Sequence, residues 1–213
     1  MIEAVIWDFG GVLTSSPFEA FARYERERGL PIDFIRGINA TNPDTNAWAL
    51  FERSEVTLDQ FDEIFAEEAK AKGHEVRGRA VVELLSGDIR PAVVNALKIC
   101  KTRVKVGCIT NNVPAGHGAG MARSSEKAAE VAAVMALFDH VIESSKLGIR
   151  KPDPRIYELA CQTLNVNPKS CVYLDDLGIN LKPAKALGMT TIKVGDPVIA
   201  LKELEAAVGF PLA

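Results

Sequence analysis

The chain has 213 residues, of which 47% are hydrophobic, and its formal net charge is −3. A chain of this size can bury a full core in one large or two small domains, and its slight acidic balance gives no support for binding to nucleic acid. No stretch approaches the roughly 18 apolar residues of a membrane span, so we expect no membrane partner. No signal-like segment precedes the first strand, and the four cysteines lack C-x-x-C spacing. We therefore expect a cytoplasmic protein with buried, reduced thiols.

The first predicted strand is the apolar run Ala4–Trp7, which ends at Asp8. Gly10 and Gly11 follow almost at once and allow the backbone to turn sharply and approach a ligand. A short apolar run bounded by such a turn is typical of a central strand in a parallel sheet. Asp8 would then lie at the carboxyl end of that strand, where open α/β sheets bind their ligands.

A charged, helical block follows this strand. Between residues 17 and 85 the apolar residues recur at helical spacing, and no segment has a convincing strand pattern. Thr57 and Gln60 have the spacing of a capping box, which predicts that a helix begins between them. We therefore expect residues 16–87 to form a small all-helical cap, inserted into a core made of residues 1–15 and 88–213.

Strands and helices alternate in the remainder of the chain. Asp153 and Pro154 form a helix start, with the aspartate as N-cap and the proline in the first turn. A glycine-rich loop, residues 115–120, precedes an alanine-rich helix that runs to about residue 138. We predict strands at residues 104–109, 140–143, 171–174 and 190–194, and helices at 93–99, 156–164, 181–187 and 200–208. The pattern predicts an α/β fold: a Rossmann-like, mostly parallel sheet flanked by helices.

Polar side chains stand just past a strand or just before a helix in four parts of this pattern. They are Asp8, the pair Thr110-Asn111, Lys151, and the pair Asp175-Asp176. Because the carboxyl ends of the strands in such a sheet open on one crevice, we expect these groups to lie close together.

This combination indicates phosphoryl chemistry. Asp8, Asp175 and Asp176 offer hard oxygen ligands that suit Mg²⁺, and without a cation three carboxylates in one crevice would repel one another. Lys151, next to a helix N-terminus, favours an anion, and Thr110–Asn111 can donate hydrogen bonds to phosphate oxygens. Asp8 can attack phosphorus, since carboxylates are nucleophiles in aspartyl-phosphate chemistry. The expected cofactor is Mg²⁺, and the expected partner is a small phosphorylated substrate.

The order of these motifs resembles that of the haloacid dehalogenase-like hydrolases, and the helical insert resembles that family's first type of cap. The segments 174–184 and 200–205 are similar to the phosphatase domain of soluble epoxide hydrolase and to the hydrolase-like domain of some acyl-CoA dehydrogenase family members. The resemblance covers nearly the whole chain. It implies Mg²⁺-dependent hydrolysis of a phosphate monoester through an aspartyl-phosphate.

The resemblance also implies roles for individual residues at the metal. Asp8, the backbone carbonyl of Gly10 and Asp176 would hold the ion. Asp175 lies in the same acidic cluster and would act as a ligand or support the site together with Asn180.

The chain departs from the family pattern at Gly10. Most phosphatases of the family have a second aspartate there, the general acid for the leaving group. Gly10 keeps the backbone carbonyl but has no carboxylic acid. General acid–base catalysis typically raises the rate by roughly 10²–10⁴-fold. We therefore expect a slow phosphatase, or one that prefers activated phosphates.

Other functions remain open from the sequence. A non-catalytic phosphate-binding or regulatory domain is the main alternative, because Gly10 lacks the acid. A dehalogenase would share the nucleophile but needs no metal, so the pair Asp175-Asp176 argues against it. A phosphotransferase or mutase would use the same site with another acceptor, and these motifs do not separate it from a phosphatase. No motif specifies an oligomeric partner.

Weaker motifs favour ordinary structural roles. The triplet Asp8–Gly10 spells the kinase magnesium motif, but no catalytic loop precedes it. The glycines at 116, 118 and 120 lack dinucleotide-binding spacing. His117 is predicted to be an exposed loop histidine rather than a proton donor, and the apolar stripe of the cap is predicted to be its core rather than a lipid pocket.

Overall fold

The computed structural model describes residues 1–212 and contains a five-stranded parallel sheet with the strand order β3-β2-β1-β4-β5. Its strands are β1 (Ala4–Trp7), β2 (Lys105–Thr110), β3 (His140–Glu143), β4 (Cys171–Asp175) and β5 (Thr190–Lys193). Strand β1 lies at the centre, and all four of its residues are fully buried. The predicted α/β fold is confirmed.

The pairing of the strands aligns their carboxyl ends. Trp7 lies opposite Cys108 of β2 and Leu174 of β4. The Asp8 N–H donates a hydrogen bond to the Leu174 carbonyl (2.8 Å), which continues the ladder one residue past β1. The residues that follow these strands therefore begin at the same level of the sheet.

The insert after β1 contains five helices: α1 (Pro17–Glu27), α2 (Phe34–Asn39), α3 (Ala47–Glu52), α4 (Leu58–Ala71) and α5 (Gly78–Val82). The predicted capping box at Thr57 and Gln60 is present, with both of its hydrogen bonds. Aromatic and aliphatic side chains of these helices form a hydrophobic cluster of their own, joined by Val113 and Met121 of the core. The ends of this insert run side by side, because Thr14 forms an antiparallel bridge with Ile89.

The other helices cover the two faces of the sheet. They are α6 (Pro91–Lys101), α7 (Ser125–Met135), α8 (Ser144–Leu147), α9 (Pro154–Leu164), α10 (Gly178–Ala186) and α11 (Pro197–Val208). Val5 and Trp7 pack in the cluster that contains α6, α7 and α11. Ala4 and Ile6 pack in the opposite cluster, with α9 and α10. This alternation follows from the two-residue period of a strand.

Two helices begin three residues before their predicted starts. Helix α11 begins at Pro197 because Asp196 accepts hydrogen bonds from two N–H groups of its first turn. Helix α10 begins at Gly178, one residue after Leu177, whose N–H is bound by the Asp175 carboxylate (2.8 Å). Asp196 is thus the N-cap of α11, whereas Asp175 binds the N–H of the residue that precedes α10, and periodicity alone reveals neither contact.

All four cysteines are buried. Among the described residues, no helix combines the length and the apolar character that crossing a bilayer requires. The cytoplasmic location stays a prediction.

Candidate active site

Lys151 is the centre of the strand-end cluster. Its side chain is 1% exposed, and its ammonium lies 2.8 Å from Asp8 Oδ1 and 2.9 Å from Asp175 Oδ2. It also donates a hydrogen bond to the carbonyl of Ile109 (3.0 Å), so three oxygens surround it. A buried ammonium with this many partners is held in one place and stays charged.

Asp175 is held from all sides. Its Oδ2 accepts hydrogen bonds from Lys151 and from the Tyr173 hydroxyl (2.5 Å), and its Oδ1 accepts one from the N–H of Leu177. The Asn180 amide contacts both oxygens at 3.1 Å. Asp175 is fully buried, so its carboxylate orients Lys151 and the start of α10.

Asp8, Asp175 and Asp176 each bring one carboxylate oxygen within 4.8 Å of the others. Asp176 lies against the backbone of Gly11, where an added Cβ would come within 2.2 Å of Asp176 Oδ2. Gly11 has a φ of 77°, which favours glycine, so the close approach of the carboxylate depends on this residue. Three hard oxygen donors at this spacing fit a divalent cation of the magnesium type.

The cluster holds three carboxylates, Asp8, Asp175 and Asp176, and one ammonium, that of Lys151. Burial raises the pKa of Asp8 well above its ordinary value; Lys151 opposes this rise, while Asp175 and Asp176 add to it. Burial, together with Asp175, raises the pKa of Asp176 to about 6. Burial alone would lower the pKa of Lys151, but Asp175 and Asp8 outweigh it and raise that pKa. A cation among the carboxylates would relieve this repulsion.

Thr110 and Asn111 lie where β2 ends, beside Lys151. Thr110 is 2% exposed and lines the same cavity as Asp8. The Asn111 side chain accepts a hydrogen bond from the Lys151 N–H (2.8 Å) and donates one to the Lys151 carbonyl (3.0 Å). The structure thus brings all the strand-end residues predicted from sequence to one place, and it adds that Asn111 fixes the backbone of Lys151.

Gly10 also lines this cavity, and the space beside it is open. Apart from its two chain neighbours, no heavy atom of residues 1–212 would lie within 4 Å of a Cβ added there, and the φ of Gly10 lies outside the left-handed region. A longer side chain is therefore compatible with the backbone at this position.

The cavity above the cluster has a volume of about 610 Å³ and lies between the sheet and the helical insert. Its core side carries Asp8, Thr110, Lys151 and Asp176. The insert contributes mainly aromatic and aliphatic side chains, with a few polar groups. The insert residues that line the cavity include Phe18, Phe21, Arg36, Asn39, Trp48, Glu52 and Leu85.

Sequence reasoning missed several residues around the site. Tyr173 lies two positions before Asp175, on the same face of β4, and this spacing could have predicted its hydrogen bond. Buried Glu52 and half-buried Arg150 form an ion pair between α3 and the segment before Lys151, and no local pattern marks it. His117 is exposed, as predicted, and its backbone pairs with Ala122.

Comparison with known proteins supports a common ancestry for this arrangement. A family model described as haloacid dehalogenase-like hydrolase matches residues 2–188. Acyl-CoA dehydrogenase family member 10 of Mus musculus is 35% identical over 98% of this chain, and bifunctional epoxide hydrolase 2 of the same species is 31% identical over all of it. The chain spans only 19% and 40% of the lengths of these two relatives. Phosphatase MT3486 of Mycobacterium tuberculosis is 31% identical, over 88% of this chain and 85% of its own.

Solved structures share the fold at lower identity. An enzyme of Bacteroides thetaiotaomicron in complex with magnesium and inorganic phosphate has a TM-score of 0.60 and 19% identity, over 92% of this chain and 96% of its own. L-2-haloacid dehalogenase of Xanthobacter autotrophicus has a TM-score of 0.61 and 19% identity, over 100% of this chain and 85% of its own. At this level of identity the likeness concerns the fold alone.

Proposed function

The chain belongs to the haloacid dehalogenase-like hydrolases, and from this premise we propose that it is a Mg²⁺-dependent phosphatase that hydrolyses a small phosphate monoester through an aspartyl-phosphate on Asp8. The observation that carries the proposal is the position of Asp8. Its carboxylate lies 2.8 Å from a buried ammonium, within an acidic cluster that suits a cation and at the edge of a large cavity.

Asp8 is the nucleophile in this proposal. Its Oδ1 accepts hydrogen bonds from Lys151 and from the Phe9 N–H (2.6 Å), whereas no hydrogen bond to its Oδ2 occurs within residues 1–212. Oδ2 attacks the phosphorus atom, the bond from phosphorus to the leaving oxygen breaks, and that oxygen takes the electron pair. Water then attacks the phosphorus of the aspartyl-phosphate, and the bond from phosphorus to Asp8 Oδ2 breaks. Inorganic phosphate leaves, a proton of the attacking water passes to solvent, and the Asp8 carboxylate is regenerated.

Lys151, Thr110 and Asn111 bind the phosphoryl group in this proposal. The Lys151 ammonium neutralises charge on the phosphoryl oxygens, and the Thr110 hydroxyl donates a hydrogen bond to one of them. The Asn111 side chain is engaged with Lys151, so its contribution comes through the backbone N–H.

Asp8, the Gly10 carbonyl and Asp176 would hold the Mg²⁺ ion, with Asp175 and Asn180 supporting the site. The ion, when bound, supplies positive charge that stabilises the developing charge on the phosphoryl group. Asp175 serves better as a support than as a ligand, because both of its oxygens already accept hydrogen bonds.

Residues 1–15 and 88–213 form the hydrolase core in this proposal, and residues 16–87 form the cap. Two observations support this division. The insert has a hydrophobic cluster of its own, and the chain enters and leaves the insert side by side at Thr14 and Ile89. The cap would exclude water from the site and select the substrate.

Gly10 sets the expected substrate preference. Without an acid at this position the leaving oxygen departs unprotonated or takes its proton from water. Substrates with a good leaving group, such as aryl phosphates, should therefore react faster than alkyl phosphates.

The direct test measures phosphate release from p-nitrophenyl phosphate with Mg²⁺ and with a chelator. We expect Mg²⁺-dependent turnover that falls by at least about 10⁴-fold in Asp8→Asn, because the nucleophile is lost. Asp196→Asn is the matched control, since asparagine caps a helix as well as aspartate does. Equal turnover in Asp8→Asn and native protein would overturn the assignment.

A phosphate-binding protein without catalysis is the second candidate, and the missing acid at Gly10 favours it. It predicts saturable binding of inorganic phosphate in Mg²⁺ and no release of phosphate from any aryl or alkyl phosphate.

A further inference from the structure

The insert contains three buried carboxylates, and one of them differs from the other two. Glu25 and Asp62 take their hydrogen bonds from within the insert, between residues 33 and 79. Glu52, at the end of α3, is equally buried but takes two of its three hydrogen bonds from the core. Its burial therefore depends on the seating of the insert on the core.

The hydrogen bonds of Glu52 divide between its two oxygens. Oε1 accepts a hydrogen bond from Trp48 Nε1 (2.9 Å), within the same helix. Oε2 accepts hydrogen bonds from the Arg150 guanidinium and from Asn111 Nδ2 (3.3 Å). Because donors occupy both oxygens, Glu52 acts as an ionised carboxylate and does not replace the missing acid at Gly10.

Both core partners of Glu52 are attached directly to Lys151. Arg150 precedes it in the chain and also donates a hydrogen bond to the carbonyl of Pro43 (2.8 Å), in the insert. Asn111 binds the Lys151 N–H and carbonyl at 2.8 and 3.0 Å. A continuous set of hydrogen bonds thus joins α3 of the insert to the backbone of Lys151.

We propose that Glu52 is a positioning residue for the reaction: through Arg150 and Asn111 it fixes the segment that places the Lys151 ammonium between Asp8 and Asp175. The role in catalysis rests on the proposed phosphatase function, whereas the fixing of the Lys151 segment does not. One consequence is that the site is complete only while the insert is seated on the core.

Glu52→Gln tests this proposal, with Glu25→Gln as its matched control. Both variants remove one buried carboxylate charge from the insert, but the partners of Glu25 are the backbone N–H groups of Asp33 and Ile35. Two measurements are made on each folded variant. The first is kcat and KM with p-nitrophenyl phosphate in Mg²⁺, and the second is hydrogen–deuterium exchange of the peptide 148–153.

We expect Glu52→Gln to lower kcat by about 10- to 100-fold with KM changed less than about threefold, since a small misplacement of a catalytic group has effects of this size. Exchange in the peptide 148–153 should become faster, because the Lys151 N–H loses its fixed acceptor. Glu25→Gln should lower the melting temperature and leave both readouts at the native level.

Native exchange of the peptide 148–153 in a folded Glu52→Gln variant would overturn the proposal, and so would a native kcat. If the native protein shows no turnover at all, the phosphatase proposal fails instead, and the exchange measurement still decides whether Glu52 fixes the Lys151 segment.

Arg150→Met provides a second variant that probes the same contacts. If Glu52 acts through Arg150, the double variant Glu52→Gln/Arg150→Met should lose little more activity than Arg150→Met alone. Fully additive losses would show that Glu52 acts independently of Arg150 and would overturn the route through Arg150.

Discussion

The two sides of the cavity differ in what holds their side chains in place. On the core side, charged groups at the strand ends bind one another, with Lys151 within 3 Å of both Asp8 and Asp175. On the cap side, aromatic and aliphatic residues such as Phe18 and Leu85 pack against a hydrophobic cluster. Hydrophobic contacts are non-directional, whereas hydrogen bonds between charged groups fix distances and angles.

This difference indicates a division of labour. A fixed set of charges can stabilise a reaction that every substrate shares, and an apolar surface can be reshaped to suit one substrate. Removal of a charged group on the core side should therefore affect all phosphate esters alike, while removal of an apolar side chain on the side of the insert should alter the ratio between substrates.

Of the proposed variants, Lys151→Met should lower stability and activity the most. A small effect would contradict the comparison between the two sides. It leaves Asp8 and Asp175 buried without their positive partner, so we expect a loss of about 3–5 kcal/mol in the free energy of unfolding. Turnover of aryl and alkyl phosphates should fall by a similar factor, at least about 10³-fold. Urea unfolding and phosphate release measure the two effects.

Lys105→Met is the control for this variant. Lys105 binds the backbone carbonyls of Leu164 and Asn165 at the other end of β2, at 2.7 and 3.2 Å, and has no carboxylate partner within residues 1–212. A loss of stability in Lys105→Met as large as that in Lys151→Met would contradict the account of the buried charges.

Gly10→Asp should raise kcat, by a factor smaller than the loss expected for Lys151→Met. The open space beside Gly10 accommodates the side chain, which restores an acid next to the leaving oxygen. We expect kcat on an alkyl phosphate to rise by about 10²-fold and kcat on p-nitrophenyl phosphate to rise less, because the nitrophenolate leaves without a proton.

Gly11→Ala sharpens this prediction. Its Cβ would meet Asp176 Oδ2 at 2.2 Å, and its φ of 77° disfavours alanine, so we expect weaker Mg²⁺ binding and lower stability.

If Gly10→Asp folds and gains no activity on alkyl phosphates, Gly10 is not the position of the missing acid.

Leu85→Ala should have the smallest effect and should change selectivity. It removes apolar surface from the cap side, so kcat/KM for decyl phosphate should fall by about tenfold relative to phenyl phosphate. Leu84→Ala is the control, since Leu84 packs in the same cluster but outside the cavity lining. An equal change of kcat/KM for the two substrates would contradict the division between the two sides.

The sequence predicts the parts of this protein that depend on local patterns. The central strand and the residues that follow β1, β2 and β4 could be placed because parallel strands end at one edge of the sheet. The capping box at Thr57 is likewise a local signal, and the structure confirms it. Helix α11 begins three residues before its apolar pattern predicts, because Asp196 caps it outside that pattern.

The parts that the sequence does not predict depend on long-range contacts. Glu52 and Arg150 are 98 positions apart, and each has an ordinary charge pattern around it. The different roles of Asp175 and Asp176 follow from their surroundings, since Asp175 is enclosed by donors while Asp176 lines the cavity. Neither feature has a periodic or compositional signal.

The central claim is that Asp8 carries the phosphoryl group, and chemical trapping tests it most directly. The aryl phosphate should form the aspartyl-phosphate readily, because nitrophenolate leaves without a proton, so a fraction of the protein should carry the intermediate during turnover. Protein mixed with p-nitrophenyl phosphate and Mg²⁺ is quenched in acid, reduced with borohydride and mapped by peptide mass spectrometry. We predict homoserine in place of Asp8; an unreduced Asp8 during continued phosphate release, or reduction at another carboxylate, would contradict the account.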